Sequence, residues 1–170
     1  MLLHHLFVQT AKRHGSDFAF IDCTADKRIT YSKALTASLI LAEKFRKYEQ
    51  GFIGIMIPTS AGCGLSFLAA LMSGRTPVMI NYSTGAQKNA VYAQRKCKFK
   101  TIITSRALLE KIDCPVVDGM VFIEDIMAGI SFTDKLKAAL MARLPVPFVL
   151  RSIHGGHPDS DCVILFTSGS

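Results

Sequence analysis

The sequence predicts an α/β fold, a mostly parallel sheet flanked by helices. Short runs of strand-forming residues alternate with stretches of helical periodicity at least three times in succession, the pattern of βαβ units. The runs at residues 52–57, 76–80 and 162–166 are apolar almost throughout, as strands covered on both faces are. With 170 residues, 49% of them hydrophobic and 19% charged, the chain can build a real core, which excludes disorder as its class.

Leu3, Leu6, Phe7 and Ala11 recur at helical spacing and predict a short N-terminal helix. Residues 18–23 alternate apolar and polar and predict a strand. Ala25, Asp26 and Lys27 turn the chain into a second short strand at 28–30, forming a hairpin. Thr30 can cap a helix over 31–48, with Leu35, Leu39, Ala42 and Phe45 on one face. Residues 52–57 predict a strand, 58–60 a turn, and 61–73 a small-residue helix stopped at Gly74. A strand at 76–80, a polar loop at 81–85 and a polar helix at 86–96 follow. Residues 101–104 predict a strand, and Ser105 is placed to cap a helix reaching Lys111. Val116 with Val117, and residues 121–123, read as strand fragments around Asp118 and Gly119. Thr133 is expected to open a helix whose Leu136, Ala139 and Leu140 pack on the body. Its Lys135, Lys137 and Arg143 also suit a basic helix lying on an anionic membrane. Pro145 and Pro147 end it, 153–161 read as a loop, and 143–160 is the weakest stretch.

The formal charge of +7 is unevenly placed. No acidic residue lies between Glu49 and Glu110, where Arg75, Lys88, Arg95, Lys96, Lys98, Lys100 and Arg106 stand. That segment reads as a solvated basic face, or as a docking surface for an acidic partner or an anionic membrane. Nucleic acid is not expected as a partner, because aromatics are only 9% and tryptophan is absent, so no stacking platform accompanies the cations. Cys23, Cys63, Cys97, Cys114 and Cys162 are odd in number and widely spaced, which predicts reduced thiols and a cytoplasmic protein. The short apolar stretch at residues 1–8, interrupted by His4 and His5, does not read as a signal peptide.

Several local patterns have plain explanations. Residues 51–74 carry no charge, but Pro58, Thr59, Ser60 and internal glycines favour strand, turn and buried helix over a membrane span. Gly62 and Gly64 suggest a dinucleotide loop, yet Phe67 occupies the third glycine position, so close helix packing is expected. His154 and His157 make at most half a metal site and are read as a surface turn, with His4, His5 and His14 as surface residues. Asp22, Asp26, Glu124 and Asp125 are expected in exposed or capping roles. Ser60, Ser66 and Ser168 show no nucleophile elbow, so a Ser-His-Asp hydrolase is not supported.

The sharpest signal is at the C-terminus. Val163, Ile164, Leu165 and Phe166 lead into Thr167, Ser168, Gly169 and Ser170. A buried strand delivering hydroxyls, free backbone N–H groups and a glycine is the construction of a phosphate nest at the carboxyl edge of a sheet. A domain does not normally stop there, so the chain is expected to be the front part of a longer enzyme. The alternative is a small α/β binding module for a nucleotide or an acidic partner.

Residues 166–170, Phe-Thr-Ser-Gly-Ser, resemble the start of the phosphate loop of adenylate-forming enzymes. Residues 29–35 resemble that superfamily's "T-Y-x-x-L" helix start, and residues 53–60 its "V-G-I-M-L-P-N-S" strand and turn. Residues 67–78 resemble the following helix and strand. Residues 77–85, Pro-Val-Met-Ile-Asn-Tyr-Ser-Thr-Gly, are similar to "P-A-M-x-N-Y-T-A-G" of acyl-ACP synthetases, including the synthetase part of 2-acylglycerophosphoethanolamine acyltransferases. Residues 100–106 and 130–137 look like the same branch. The resemblance implies that residues 1–170 are the N-terminal portion of the AMP-binding large domain. It implies an ATP- and Mg²⁺-dependent ligase that makes a fatty acyl-adenylate and passes the acyl group to acyl carrier protein or coenzyme A. Thr167, Ser168, Gly169 and Ser170 would contact the ATP phosphates, with no catalytic residue among the rest and no activity from this chain alone. Asn81, Tyr82 and Gly85 match the branch signature without an assigned contact. Self-association of the exposed core surface and peripheral contact with the inner membrane are further expectations of the resemblance.

Overall fold

The computed structural model describes residues 2–23 and 26–166. Its elements are α1 (Leu3–Arg13), β1 (Phe18–Asp22), β2 (Lys27–Thr30), α2 (Tyr31–Phe45), β3 (Gly51–Met56), α3 (Ala61–Met72), β4 (Arg75–Met79), α4 (Ala86–Cys97), β5 (Ile102–Thr104), α5 (Arg106–Lys111), β6 (Met120–Phe122), α6 (Ile123–Ala128), α7 (Phe132–Arg143), α8 (Val146–Ser152) and β7 (Ile164–Leu165). β1 and β2 form the predicted antiparallel hairpin. The other strands form one parallel sheet in the order β6-β5-β3-β4-β7.

Side-chain alternation along the strands sorts the interior into two cores. Ile53, Ile55 and Ile57 point to one face with Ile103, where they meet α1, α2 and α3 through Val8, Leu35, Phe45 and Ala69. Met56, Val78, Ile80 and Ile102 point to the other face, beneath Ala86, Ala90 and Ala93 of α4 and Leu108 and Leu109 of α5. Gly54 lies on this second face. A Cβ there would come within 2.9 Å of both Ile102 and Phe99, so the missing side chain lets β3 carry its neighbours close. The uncharged stretch 51–74 is thus strand, turn and buried helix, and no described helix is long and apolar enough to cross a membrane.

The caps follow the sequence in part. Thr30 and Ser60 accept from Lys33 N at 3.4 Å and Cys63 N at 3.2 Å. Ser105 does not cap α5. Its hydroxyl donates instead to Glu124 at 2.7 Å, and the Glu124 carboxylate accepts from Arg106 N at 3.0 Å, supplying negative charge to that helix start from across the sheet edge. Asp22 accepts from Ala61 N at 3.1 Å, a capping role of the expected kind.

The region after β5 departs most from expectation. Val116 and Val117 are not strand; the chain turns at Gly119 and only Met120–Phe122 pairs with β5. The short α6 follows at once. α7 is opened by Ser131 rather than Thr133, through a capping box in which Ser131 and Asp134 exchange bonds. A 2.7 Å ion pair with Lys44, joined by bonds from Ser131, holds the Asp134 carboxyl down at about 2. Ala138 is the side of α7 that packs inward, and Leu136 and Leu140 face outward, contrary to the predicted packing stripe. Pro145 and Pro147 do end α7, but they also start α8, whose Val149 is fully buried in the stretch that reads as weakest. The final strand pairs only through Ile164 and Leu165, and Leu165 is 67% exposed, so it is a sheet edge rather than a covered strand.

Candidate functional site

β3 and β4 are parallel neighbours, yet α3 leaves for one face and α4 for the other. Connections that part in this way open a crevice at the carboxyl ends of the strands. The loop 81–85 forms one wall. The Asn81 side-chain oxygen accepts from Ser83 N at 2.9 Å and from the Ser83 hydroxyl at 2.7 Å, folding the chain back on itself. The Asn89 amide donates to the carbonyls of Asn81 at 2.9 Å and Thr84 at 2.8 Å and clamps the loop to α4. Gly85, at φ +64°, makes the bend into that helix, where a side chain would be strained. Tyr82 packs on the second core. Bonds at Asn81, packing at Tyr82 and the bend at Gly85 give these residues structural roles that the sequence left unassigned.

Pairing of β7 with β4 brings Phe166 against this loop. Its ring meets Tyr92 edge-on, with centroids 5.5 Å apart. Ile80, Asn81, Ser83, Thr84, Asn89, Tyr92 and Phe166 line a cleft of about 440 Å³ that holds no described carboxylate. α4 opens on the loop without a side-chain cap, so the partial positive charge of its first turn is not answered by a protein side chain. Thr167, Ser168, Gly169 and Ser170, the predicted phosphate contacts, lie outside the described residues and follow Phe166 directly in sequence. Asn89 and Tyr92 were missed by sequence reasoning. Their spacing of four and seven from Gly85 puts all three on one face of α4, and that periodicity was the available signal.

The basic segment does not form one surface. Arg75 is only 6% exposed and donates to the carbonyls of Arg46, Tyr48, Glu49 and Ser73. Arg106 makes a two-pronged contact with Asp125 at 2.8 and 2.7 Å and lies over the Phe122 ring. The exposed remainder centres on Lys88, Arg95, Lys96, Lys98 and Lys100, none of which makes an ion pair among the described residues. Glu49 holds the start of β5 by accepting from Lys100 N, Thr101 N and the Thr101 hydroxyl at 2.6–2.7 Å. Burial opposes its ionisation, but these bonds outweigh burial and keep its carboxyl below the usual range.

The histidines are not all at the surface. His4 is 3% exposed, and the Nε2 atoms of His4 and His5 both donate to the His154 carbonyl at 2.9 Å. His154 in turn is bonded through its own N–H to Met72 O. Through its backbone, His154 therefore ties the loop after α8 to α1 and α3. Among the described residues no three His, Cys, Asp or Glu side chains could hold a metal ion. Desolvation, helped by the nearby charges of His5 and His154, pushes the His4 pKa down, although its bond to the His154 carbonyl opposes this. His157, Arg75 and Asp161 line the adjoining cavity. Unfolded chains then bind a proton that folded ones resist, so stability is full above the unfolded histidine value and falls as pH drops below it. Denaturant titrations from about pH 7.5 to about pH 5.5 should show that fall, and His4→Gln, which keeps a donor, should flatten it. A pH dependence identical in the two proteins would refute the assignment.

Gly64 has the packing role expected, since a Cβ there would meet the Phe20 ring at 2.5 Å. Gly62 meets only Ser60 Oγ, at 3.6 Å, and is not a packing glycine. All five cysteines are free, and burial raises the pKa of Cys63.

A crevice at the carboxyl ends of the strands is where an open α/β sheet usually takes a ligand, and comparison with known proteins is more specific. The profile of the AMP-binding enzyme family matches residues 7–170, and the chain belongs to that family, the adenylate-forming enzymes. Solved structures share its fold. One is the N-terminal subdomain of NpsA from Klebsiella oxytoca, at TM-score 0.69 and 16% identity, covering 99% of this chain and 39% of that one. Another is a fatty acyl CoA synthetase from Mycobacterium tuberculosis, at TM-score 0.65 and 19% identity, covering 97% of this chain and 32% of that one. A third is O-succinylbenzoate coenzyme A synthetase from Bacillus subtilis, in complex with ATP and magnesium ion, at TM-score 0.61 and 16% identity, covering 74% and 34%. The chain thus spans between about a third and two fifths of the length of these relatives.

Proposed function

We propose that this chain works in an ATP-dependent ligase that activates a fatty acid as its acyl-adenylate and transfers the acyl group to a thiol, on acyl carrier protein or coenzyme A. The observation that carries the reading is the cleft at the ends of β4 and β7, in a chain of the AMP-binding family. Its lining suits a polyphosphate. Hydroxyl and amide groups surround it, the uncapped start of α4 follows its loop wall directly, and no described carboxylate opposes an anion. Thr167, Ser168, Gly169 and Ser170 would continue the contacts to the phosphates. The described residues supply no cage for Mg²⁺, so the ion would arrive on the nucleotide's own oxygens. The fatty-acid branch rests on residues 77–85, whose loop builds the cleft wall. The exposed cations of α4, with Lys98 just beyond it, would receive an acidic carrier protein.

The test is fatty-acid-dependent ATP–pyrophosphate exchange by the natural gene product, with the 170-residue chain beside it, followed by transfer to carrier protein or coenzyme A. Exchange by the natural product with long-chain acids, and none by the 170 residues if they are made alone, is the expected result. Reversing Arg95, Lys96 and Lys98 to Glu should slow carrier transfer by more than about tenfold while sparing exchange. Exchange with no acid tried would replace this reading with a nucleotide- or partner-binding module.

A further inference from the structure

Large apolar side chains that no described residue covers stand on the outward side of α7, and Leu144 and Phe148 follow them in the turn and in α8. Phe132 is 77% exposed, and Leu136, Leu140, Leu144 and Phe148 are each at least 40% exposed. Four-residue steps keep Phe132, Leu136 and Leu140 on one side of the helix, opposite Ala138, which faces the body. α7 is therefore apolar on two opposite sides, and only one is used within the fold. Helical spacing puts Lys135 at one edge of the strip and Lys137 at the other, so long cationic stems border it on both sides.

A second observation lies along the Lys135 edge. A groove of about 850 Å³ runs between α1, α2 and α7, and Lys12, Lys33, Lys135 and Arg143 are among its lining residues while no acid is. Between residues 126 and 158 the chain has one acidic residue, Asp134, and it is taken up by Lys44 and the α7 cap. The apolar strip and the cationic groove thus form a continuous surface with no negative charge of its own.

We propose that the outer face of α7, with the groove beside it, docks on an anionic lipid bilayer. Phenyl and leucyl side chains would enter the boundary of the acyl chains, and the groove cations would take lipid phosphates. α7, at about 18 Å long, would lie in the plane of the surface. The charge pattern selects this occupant over a second copy of the chain. Two such faces brought together would oppose Lys135, Lys137 and Arg143 to the same cations, with no acid to answer them.

The experiment is flotation of the natural gene product with vesicles of phosphatidylglycerol and phosphatidylcholine, against vesicles of phosphatidylcholine alone. Flotation with the anionic vesicles only is expected. Leu136→Gln with Leu140→Gln, and separately Lys135→Glu with Arg143→Glu, should each weaken it by more than about tenfold at unchanged thermal stability, because all four side chains are exposed. The charge-matched pair Lys47→Glu with Lys111→Glu, also exposed, should leave it nearly unchanged. No flotation, or flotation that survives the α7 variants, or loss in all three variants alike, would overturn the proposal. So would a concentration-dependent dimer abolished by the leucine variants without vesicle binding, which would assign the strip to a second copy. An acidic protein captured by the strip in place of vesicles would overturn it as well.

Discussion

Arg75→Met should destabilise the fold by about 3 kcal/mol or more, enough to remove a large part of a typical domain's stability. The guanidinium is buried and donates to four backbone carbonyls, those of Arg46, Tyr48, Glu49 and Ser73. These belong to the end of α2, the approach to β3 and the turn before β4, which Arg75 joins at one point. Methionine fills similar space and leaves those acceptors unpaired, and buried unpaired acceptors are costly. Lysine should fail nearly as badly, because one ammonium cannot spread across the four carbonyls that a planar five-donor group reaches. Chemical denaturation monitored by circular dichroism would measure the loss. A change below about 1 kcal/mol in Arg75→Met would show that the carbonyls find other donors.

Gly119→Ala should cost about 2–4 kcal/mol. Gly119 sits at φ +84°, and a Cβ there would lie 2.1 Å from the Lys100 carbonyl oxygen and 3.0 Å from Gln94 Nε2. The turn cannot shift cheaply. Gln94 donates to the carbonyls of Lys100 and Asp118 at 2.6 and 2.8 Å, and Ile102 N donates to Gly119 O at 2.9 Å. The alanine therefore forces apart β5 and β6 at their starts. Relief would require losing the Gln94 bonds, so Gly119→Ala combined with Gln94→Ala should cost less than the sum of the two alone. Full additivity would mean that the strain is confined to the glycine's own dihedrals.

The layered α/β architecture was legible because strand and helix periodicities are local, and the runs at β3 and β4 are long enough to show them. The cap at Thr30 was legible for the same reason, whereas Ser60 read only as part of a turn. Ser105 was not, because its competitor, Glu124, arrives from a distant strand end. Arg75 looked like its cationic neighbours since its partners are main-chain carbonyls, and carbonyls have no residue signature. On α7, apolar residues occur on opposite sides, and periodicity cannot say which side meets the body. At the cleft, the Asn81–Gly85 loop was visible as a motif. Its clamp by Asn89 and the approach of Phe166 depend on β4 and β7 pairing, which spacing along the chain does not encode.

The strand order has a consequence for how the molecule assembles. β3, α3 and β4 can meet soon after they are synthesised, β5 then adds beside β3, and β6 beside β5. Val78 must instead wait for Ile164, a partner made long after it, while five helices, α4 to α8, are laid down in between. Closing so distant a contact is slow and comes late. A nascent chain that has passed Ile153 but not reached β7 carries the buried residues of both cores and the Asn81–Gly85 loop but lacks the Phe166 side of the cleft. Among the described residues the cleft is thus the last part to be completed, and a ribosome-bound intermediate lacks its Phe166 wall.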